Sequence, residues 1–294
     1  MMFSSESKLI IPNNIDPINC IQVKNKFAVF STIPNDVIFD INRISEPLFC
    51  GGIVKQINRN VYGFKKSDLI AYISHQKSEN INLSPNLTIK LKKMNKDIFV
   101  VLPYASYAMK LLREINPKLG QNIVIYGLNF FSILLLKILK LAGSNPLIVN
   151  IDGDSTKKEM TIKNSNWIIN GLDEAKLKLR NVKISSSVTC VHSKQNLDDF
   201  LNEIEFGKKY LLKEISIYDK GLLDRDYIRG IKYPYSYVRW DFKKNLNYII
   251  NLFEKGKILL DFLDYNLFEI NSIEEIPKTI NQLQSKSLVL FSIT

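Results

Sequence analysis

The sequence predicts an α/β protein that combines a parallel-sheet, nucleotide-binding domain with a smaller β-rich domain of barrel-like spacing. The first observation is a run over residues 119–152 in which an apolar strand, a glycine turn, an apolar helix and a second strand follow one another. The second is a series of short apolar strands separated by turns before residue 75. The third is the alternation of strand-like and helix-like segments after residue 152.

The run over residues 119–152 has the order of a βαβ dinucleotide-binding unit. Ile123–Tyr126 is predicted to be a buried strand, and Phe130–Ala142 is predicted to be the following helix. Leu147–Ile151 is predicted to be the next strand, and an acidic residue follows it. The sequence therefore predicts a nucleotide site where the first strand meets the helix.

The turn of this unit departs from the usual three glycines. Gly127 keeps the tight turn after the strand, and Ser132 is small enough for close packing of helix on strand. Asn129 replaces the glycine that lets backbone approach a pyrophosphate, so its carboxamide is expected to crowd that space, although Asn tolerates a positive φ better than most residues. The alternative is a buried strand and helix that bind no nucleotide. The predicted cofactor-binding residues of the turn are Gly127, Leu128, Asn129, Phe130, Phe131 and Ser132.

An acidic residue follows the second strand at the spacing expected of a ribose ligand. Asp152 lies 20 residues after Ser132, where a carboxylate favours ribose hydroxyls and repels a 2′-phosphate. This favours NAD(H) over NADP(H). Asp154 is an alternative ligand, and Lys157 and Lys158 could instead recruit a 2′-phosphate, which leaves the choice of cofactor open.

The part of the chain before the βαβ unit is predicted to be β-rich. Pro103 is expected to separate a connecting segment at 98–101 from an amphipathic helix over Tyr104–Ile115. Residues 117–120 then form a linker into the βαβ unit. Strands are predicted from apolar or alternating runs at residues 9–12, 21–24, 27–30, 51–57 and 69–73.

The part of the chain after Asp152 is predicted to alternate strands and helices. Helices are predicted over Leu197–Ile204 and over Asn245–Glu254, the second of which ends near Gly256. Strands are predicted at residues 167–169 and 187–191, and edge strands, of the kind that pair domains into dimers, at 209–212 and 215–218.

Composition and charge exclude several classes of protein. The net charge is +11, but the lysines are spread along the chain and no basic stripe is interleaved with aromatics, so nucleic-acid binding is not expected. The N-terminus lacks a secretory signal, and the apolar run at 130–142 is too short to cross a membrane. We therefore expect a cytoplasmic protein without a membrane partner.

The three cysteines and two histidines limit metal and disulfide chemistry. Cys20, Cys50 and Cys190 are too far apart in sequence to suggest a disulfide framework. A catalytic zinc would need ligands gathered from Cys50, His75 or a carboxylate, and no pair of these lies at a ligand spacing, so we expect no zinc.

Two regions could carry chemistry outside the glycine turn. His192 follows a predicted strand and could act as an acid or base or contact the cofactor; the alternative is a surface or capping residue. Tyr237 and Arg239 could line a substrate cleft, with Arg239 binding a carboxylate or phosphate; the alternative is inter-domain packing with Arg239 paired to Asp241.

Several short motifs, in a shared order, resemble the medium-chain dehydrogenase/reductase family. Gly52-Ile53-Val54, Val61–Phe64 and Asp68–Ala71 resemble motifs of its first domain, and residues 117–127 resemble its entry into the nucleotide domain. The run YPYSYVRW at 233–240 resembles the dehydrogenase module of bi-domain oxidoreductases. Phe268–Leu283 is similar to the family's closing helix, and 288–291 to its last strand.

The resemblance implies two domains and a cofactor class. We expect a shortened GroES-like β-barrel domain from residues 1–116 plus 262–294, and a Rossmann domain from residues 117–261. The family's Gly-His-Glu zinc motif would fall just before Gly52, where the chain has Pro-Leu-Phe-Cys-Gly. The resemblance therefore brings a fold and a cofactor class without a zinc mechanism.

Together these features predict a zinc-independent, NAD(H)-dependent oxidoreductase. The substrate implied by the resemblance is a small alcohol or carbonyl compound, with a sugar-related molecule as one option, and the fold implies a homodimer. The alternative is a degenerate dehydrogenase fold kept as a binding or structural subunit without turnover, which the lost zinc motif and Asn129 both favour.

Overall fold

The computed structural model places two sheets, one parallel and one largely antiparallel, around helices that pack against both. The structure describes residues 20–31, 48–74, 78–85, 88–93, 95–151, 165–190, 206–211, 228–230, 240–272, 275–276, 279 and 288–294. Within these ranges no helix is both long and apolar enough to cross a bilayer.

The first sheet has seven strands, and five of them come from the N-terminal part of the chain. Its path runs β12-β13-β1-β2-β3-β5, and β4 pairs with β1 off this path. Neighbours are antiparallel except for β12 and β13, which are parallel. The strands are β1 (Ile21–Ser31), β2 (Leu48–Ile57), β3 (Leu69–Ser74), β4 (Asn80–Leu83), β5 (Thr88–Leu91), β12 (Asn266–Ile270) and β13 (Leu288–Ile293).

The second sheet has six strands, all parallel, in the order β11-β10-β9-β6-β7-β8. The chain begins in the middle of this sheet, at β6, builds outward through β7 and β8, and then returns to the other side of β6 with β9. The strand order therefore reverses between β6 and β9. The strands are β6 (Asn122–Tyr126), β7 (Asn145–Asn150), β8 (Ile168–Asn170), β9 (Ile184–Thr189), β10 (Phe206–Leu211) and β11 (Ile228–Gly230).

Helices cover both faces of the parallel sheet, because successive residues of each strand point to opposite sides. Ile123 and Ile125 of β6 pack with the helices α1 (Lys96–Ile115), α2 (Phe130–Leu141) and α4 (Trp240–Glu254). Val124 and Tyr126 pack with α3 (Leu172–Leu179) on the other face. Burial on both faces explains why β6 is a continuous apolar run.

One hydrophobic core joins the two sheets through α1. Phe99 in α1 lies against Phe49 of β2, with ring centroids 5.2 Å apart, and against Phe27 of β1, with centroids 6.0 Å apart. The same buried cluster extends through α1 and α2 to Ile148 and Val188 of the parallel sheet.

Two adjacent glycines of β2 make this junction possible. A Cβ on Gly51 would lie 2.8 Å from two ring atoms of Phe99, and a Cβ on Gly52 would lie 2.5 Å from the carbonyl oxygen of Lys24. The first glycine therefore lets α1 approach the antiparallel sheet, and the second lets β1 and β2 pair closely.

Helix α1 corrects the expectation that Pro103 separates two segments. The helix continues from residue 96 to 115 with Pro103 inside it. Asn95 begins it, with its side-chain oxygen accepting the N–H of Ile98 at 3.1 Å, and it ends at Asn116, whose φ is +47°. Proline removes one backbone donor, but the buried residues on both sides of it hold the helix together.

Other predicted elements differ at their limits. The expected closing helix over Phe268–Leu283 is wrong at its start, because residues 266–270 form β12 and pair with β13. The expectation that residues 209–212 form an edge strand is also wrong, since β10 lies between β9 and β11. The predicted strands at 21–24 and 27–30 are one strand with register shifts. β4, β5 and α3 were not predicted.

Candidate functional site

The candidate site is the turn from β6 into α2, at the carboxyl edge of the parallel sheet. Gly127 follows β6 with φ at +98°, a backbone conformation that favours glycine. Its N–H donates to the carbonyl of Val149 on β7 at 2.8 Å. The predicted tight turn at Gly127 is present in this form.

Asn129 forms the N-cap of α2 and a capping box with Ser132. Its Oδ1 accepts the N–H of Ser132 at 2.8 Å, and the Ser132 hydroxyl oxygen accepts the N–H of Asn129 at 2.8 Å. The φ of Asn129 is −150°, an extended conformation that any residue adopts, so this position does not need a glycine backbone. The carboxamide folds back onto the helix terminus.

The same carboxamide links α2 to the end of β9, the strand on the other side of the point where the strand order reverses. Nδ2 of Asn129 donates to the carbonyl of Cys190, directly after β9, at 3.0 Å. The N–H of Cys190 in turn donates to the carbonyl of Tyr126 at 2.8 Å. The ends of β6 and β9 and the start of α2 are therefore held as one unit at the place where ligands bind in open α/β sheets.

The start of α2 offers a favourable field for an anion. Its first turn contains no acidic residue, and the N-terminal end of a helix carries partial positive charge from N–H groups without intrahelical partners. Capping by Asn129 uses the N–H of Ser132, whereas the N–H of Phe130 lies at the first helical position, where no preceding turn supplies a carbonyl. The N–H of Phe130 and the partial positive charge of the helix terminus suit a nucleotide phosphate.

The other predicted residues of the turn pack the helix. Leu128 and Phe131 are buried, and Ser132 is fully buried, as its predicted role in close packing requires. The Phe130 ring is half-buried and lies edge-on to Tyr104 of α1, with centroids 4.7 Å apart.

A buried amide lies beside the turn at the end of β7. Asn150 is 3 % exposed, and its Oδ1 has no hydrogen-bond partner among the residues that the structure describes. Tyr126 and Val149 are register neighbours, so Asn150 follows at the level of Gly127. Asn150 was not among the predicted site residues, because an acidic residue was expected at the end of this strand.

The region where the family's zinc motif would fall, just before Gly52, is apolar. Phe49 and Cys50 are buried, and burial raises the pKa of the Cys50 thiol to about 12. Burial also raises the pKa of the Cys190 thiol well above its usual range, so both thiols are protonated at neutral pH and neither has the character of a reactive cysteine. Within the described ranges no three His, Cys, Asp or Glu residues lie close enough together to bind a metal.

Four of the predicted site residues lie outside the described ranges. These are Asp152, His192, Tyr237 and Arg239. The same holds for His75, Asp154, Lys157 and Lys158, for the strands predicted at 9–12 and 215–218, and for the helix predicted over Leu197–Ile204.

Comparison with known proteins gives structural relatives only. No protein-family model and no curated protein sequence matches the chain. The CurK enoyl reductase superposes with a TM-score of 0.69 at 13% identity, covering 94% of this chain and 91% of that one. The chain has the fold of the medium-chain dehydrogenases and reductases.

Two further solved structures show how much of the medium-chain fold is shared. Escherichia coli quinone oxidoreductase, solved in complex with NADPH, gives a TM-score of 0.67 at 13% identity, with 95% and 93% of the two chains covered. The alcohol dehydrogenase TADH from Thermus sp. ATN1 gives 0.69 at 9% identity, with 96% and 94% covered. In each comparison the shared fold therefore extends over more than nine tenths of both chains.

Proposed function

We propose that the protein binds NAD(H) at the turn from β6 into α2 and acts as a zinc-independent oxidoreductase. The observation that carries the proposal is the position of this turn, where the strand order reverses between β6 and β9 and the glycine turn leads into the start of a helix. In sheets of this order, dinucleotides bind across that crevice with the pyrophosphate at the helix N-terminus.

In this proposal, the residues of the turn have separate tasks. Gly127 sets the direction of the backbone, Asn129 holds α2 against the end of β9, and the N–H of Phe130 donates to a phosphate oxygen. When bound, a nicotinamide dinucleotide supplies the hydride donor or acceptor of the reaction.

The structural relatives and the sequence resemblance support a substrate class for this proposal. The enoyl reductase, quinone oxidoreductase and alcohol dehydrogenase relatives favour a small alcohol or carbonyl substrate, and the resemblance noted above adds a sugar-related molecule as an option. When a hydride adds to a carbonyl carbon, the oxygen gains negative charge and needs a hydrogen-bond or proton donor. His192 or Tyr237 would supply it, and Arg239 would orient the substrate.

A second candidate is a dehydrogenase fold that binds a partner or ligand without turnover. The aromatic contact of Phe99 with Phe27 and Phe49 favours this candidate. These rings form a packed hydrophobic cluster on β2, next to the position where the family's zinc motif would fall. The hydrogen bond from Asn129 to Cys190 also favours it, since it joins the two sides of the crevice.

Calorimetric titration with NADH and, separately, with NADPH tests the first candidate. We expect saturable NADH binding by the wild-type protein. Titrations that show binding of neither cofactor would overturn the proposal and favour the second candidate. Binding of NADPH alone would contradict the assignment of NAD(H).

A matched pair of variants locates the site. Phe130→Pro removes one N–H at the first helical position, where proline is tolerated, and Asn129 before it already has the extended backbone that proline requires. Phe130→Ala removes the same ring and keeps the N–H. We expect Phe130→Pro to bind NADH about 10- to 100-fold more weakly than Phe130→Ala, the range for a hydrogen bond to a charged group. Equal affinities would place the pyrophosphate elsewhere.

A further inference from the structure

We infer that Asn150 binds the 2′-hydroxyl of the adenosine ribose and thereby selects NAD(H) over NADP(H). The inference rests on the proposed function and adds a residue that determines specificity. It assigns to a buried amide at the end of β7 a role that the sequence suggests only for the acid two residues later.

The burial of Asn150 is the first reason. An amide oxygen removed from water without a hydrogen-bond donor is unfavourable, and native proteins seldom leave such an atom unpaired. The Oδ1 of Asn150 has no donor in the described part of the chain, although only 3% of the residue is exposed. A ligand donor at this position would satisfy it.

The position of Asn150 is the second reason. It ends β7 and lies level with Gly127, the turn glycine of the adjacent strand. Ile148, two residues earlier on the same face of the strand, belongs to the core cluster that contains α2, so the side chain of Asn150 lies on the α2 side of the sheet. A ligand with its pyrophosphate at the start of α2 would have its ribose near this strand end.

The chemistry of the amide oxygen gives the selectivity. Oδ1 is an acceptor, and a ribose 2′-hydroxyl is a donor that matches it. A 2′-phosphate presents mainly acceptor oxygens and would face the lone pairs of Oδ1. This selection needs no charged side chain, so it is insensitive to the ionisation of Asp152.

The test combines a deletion on the protein with a deletion on the ligand. Asn150→Leu replaces Oδ1 and Nδ2 by methyl groups, and 2′-deoxy-NADH lacks the hydroxyl. We expect wild-type protein to bind 2′-deoxy-NADH about tenfold more weakly than NADH, as for loss of one hydrogen bond. Asn150→Leu should bind both ligands with that same reduced affinity and should not weaken NADPH binding.

Asn170→Leu is the matched control. Asn170 pairs in register with Asn150 on the neighbouring strand, but it is exposed. We expect it to keep the wild-type preference for NADH over 2′-deoxy-NADH. Thermal denaturation of the ligand-free variants checks folding, and Asn150→Leu should unfold at or above the wild-type temperature because an unpaired buried oxygen is removed.

The outcomes separate the two proposals. One outcome is that wild-type protein binds NADH while Asn150→Leu still binds 2′-deoxy-NADH about tenfold more weakly than NADH. In that case the role assigned to Asn150 is wrong and the proposed function stands. If Asn150→Leu melts below wild type, the amide stabilises the fold itself, and this inference is overturned. If wild-type protein binds no dinucleotide, the proposed function fails and this inference fails with it.

Discussion

At the level of single residues, Asp68 contributes to stability. It belongs to the Asp68–Ala71 run, which resembles a motif of the medium-chain family. Its side chain is 5% exposed, and Oδ2 lies 2.7 Å from Nζ of Lys90 and accepts the N–H of Lys65 at 2.8 Å. Burial raises the pKa of Asp68, but the bonds and charges of Lys90 and Lys65 together lower it below its usual value. The carboxylate therefore ties the turn before β3 to β5.

This lowered pKa predicts a loss of stability in acid. A carboxyl group whose pKa is lower in the folded protein stabilises it fully above the unfolded-state value of about 3.9, and the contribution is lost as the pH falls through the folded-state pKa. We expect Asp68→Asn to lower the free energy of unfolding at pH 7 by about 1–3 kcal/mol. Below about pH 4, the free energy of unfolding should fall less steeply for the variant than for the wild-type protein.

Urea denaturation between pH 3 and pH 7 measures both effects. Glu174→Gln is the control, since Glu174 pairs with Lys178 at 2.6 Å on an exposed helix surface, where such pairs contribute little. An acid decline of the same size in Asp68→Asn and in wild type would show that other groups cause it.

Among the elements, β2 depends on the absence of two side chains. We expect Gly52→Ala to lower the free energy of unfolding by about 1–3 kcal/mol, because the added methyl group meets the carbonyl of Lys24, which cannot move without breaking the β1–β2 pairing. Gly51→Ala should cost less, because the group it meets is the outer edge of the Phe99 ring.

Thermal and urea denaturation of the two variants side by side give the comparison. Each adds one methyl group to the same strand, so differences in intrinsic strand preference cancel. A larger loss for Gly51→Ala would mean that the aromatic cluster is more rigid than the strand pairing.

The elements also show where sequence patterns succeed and fail. The turn at Gly127 was predictable because strand, glycine and helix signals are local. Helix α1 was interrupted in the prediction because Pro103 is a strong local signal, whereas the burial that carries the helix through it is tertiary. Strands β4 and β5 have four residues each and are defined by their partners β1 and β3, which no local pattern reveals.

The candidate site divides in the same way. The sequence draws attention to Asn129 and Ser132, but their hydrogen bonds depend on helix capping, and the bond to Cys190 joins residues 61 positions apart. Asn150 could have been found from the sequence by asking which polar residue ends a buried apolar strand.

At the scale of the whole molecule, the shared core predicts cooperative unfolding. The largest buried cluster contains residues from both 1–116 and 117–261, since Phe99 connects the aromatic cluster to helices on the parallel sheet. We expect Phe99→Ala to lower the free energy of unfolding by about 3–5 kcal/mol, the usual cost of a large cavity. It should shift the unfolding of both sheets together.

Two probes of one denaturation experiment decide this. In a Trp240→Phe background, fluorescence of Trp167 reports on the parallel sheet, where Lys140 lies 3.6 Å from the centre of its ring, and far-ultraviolet circular dichroism reports on the whole chain. We expect the fluorescence and circular dichroism transitions to coincide, both in the Trp240→Phe protein and in the same protein with Phe99→Ala. A fluorescence transition that Phe99→Ala leaves in place would show that the parts unfold independently.

The capping box at Asn129 has a consequence for how fast and how tightly a ligand could bind. A glycine-rich turn loses conformational freedom when a ligand fixes it, and that loss subtracts from affinity. Here the Ser132 hydroxyl and the Cys190 carbonyl fix the turn before any ligand arrives. The turn is therefore rigid, and under the proposed function a nucleotide would bind it without first ordering its backbone.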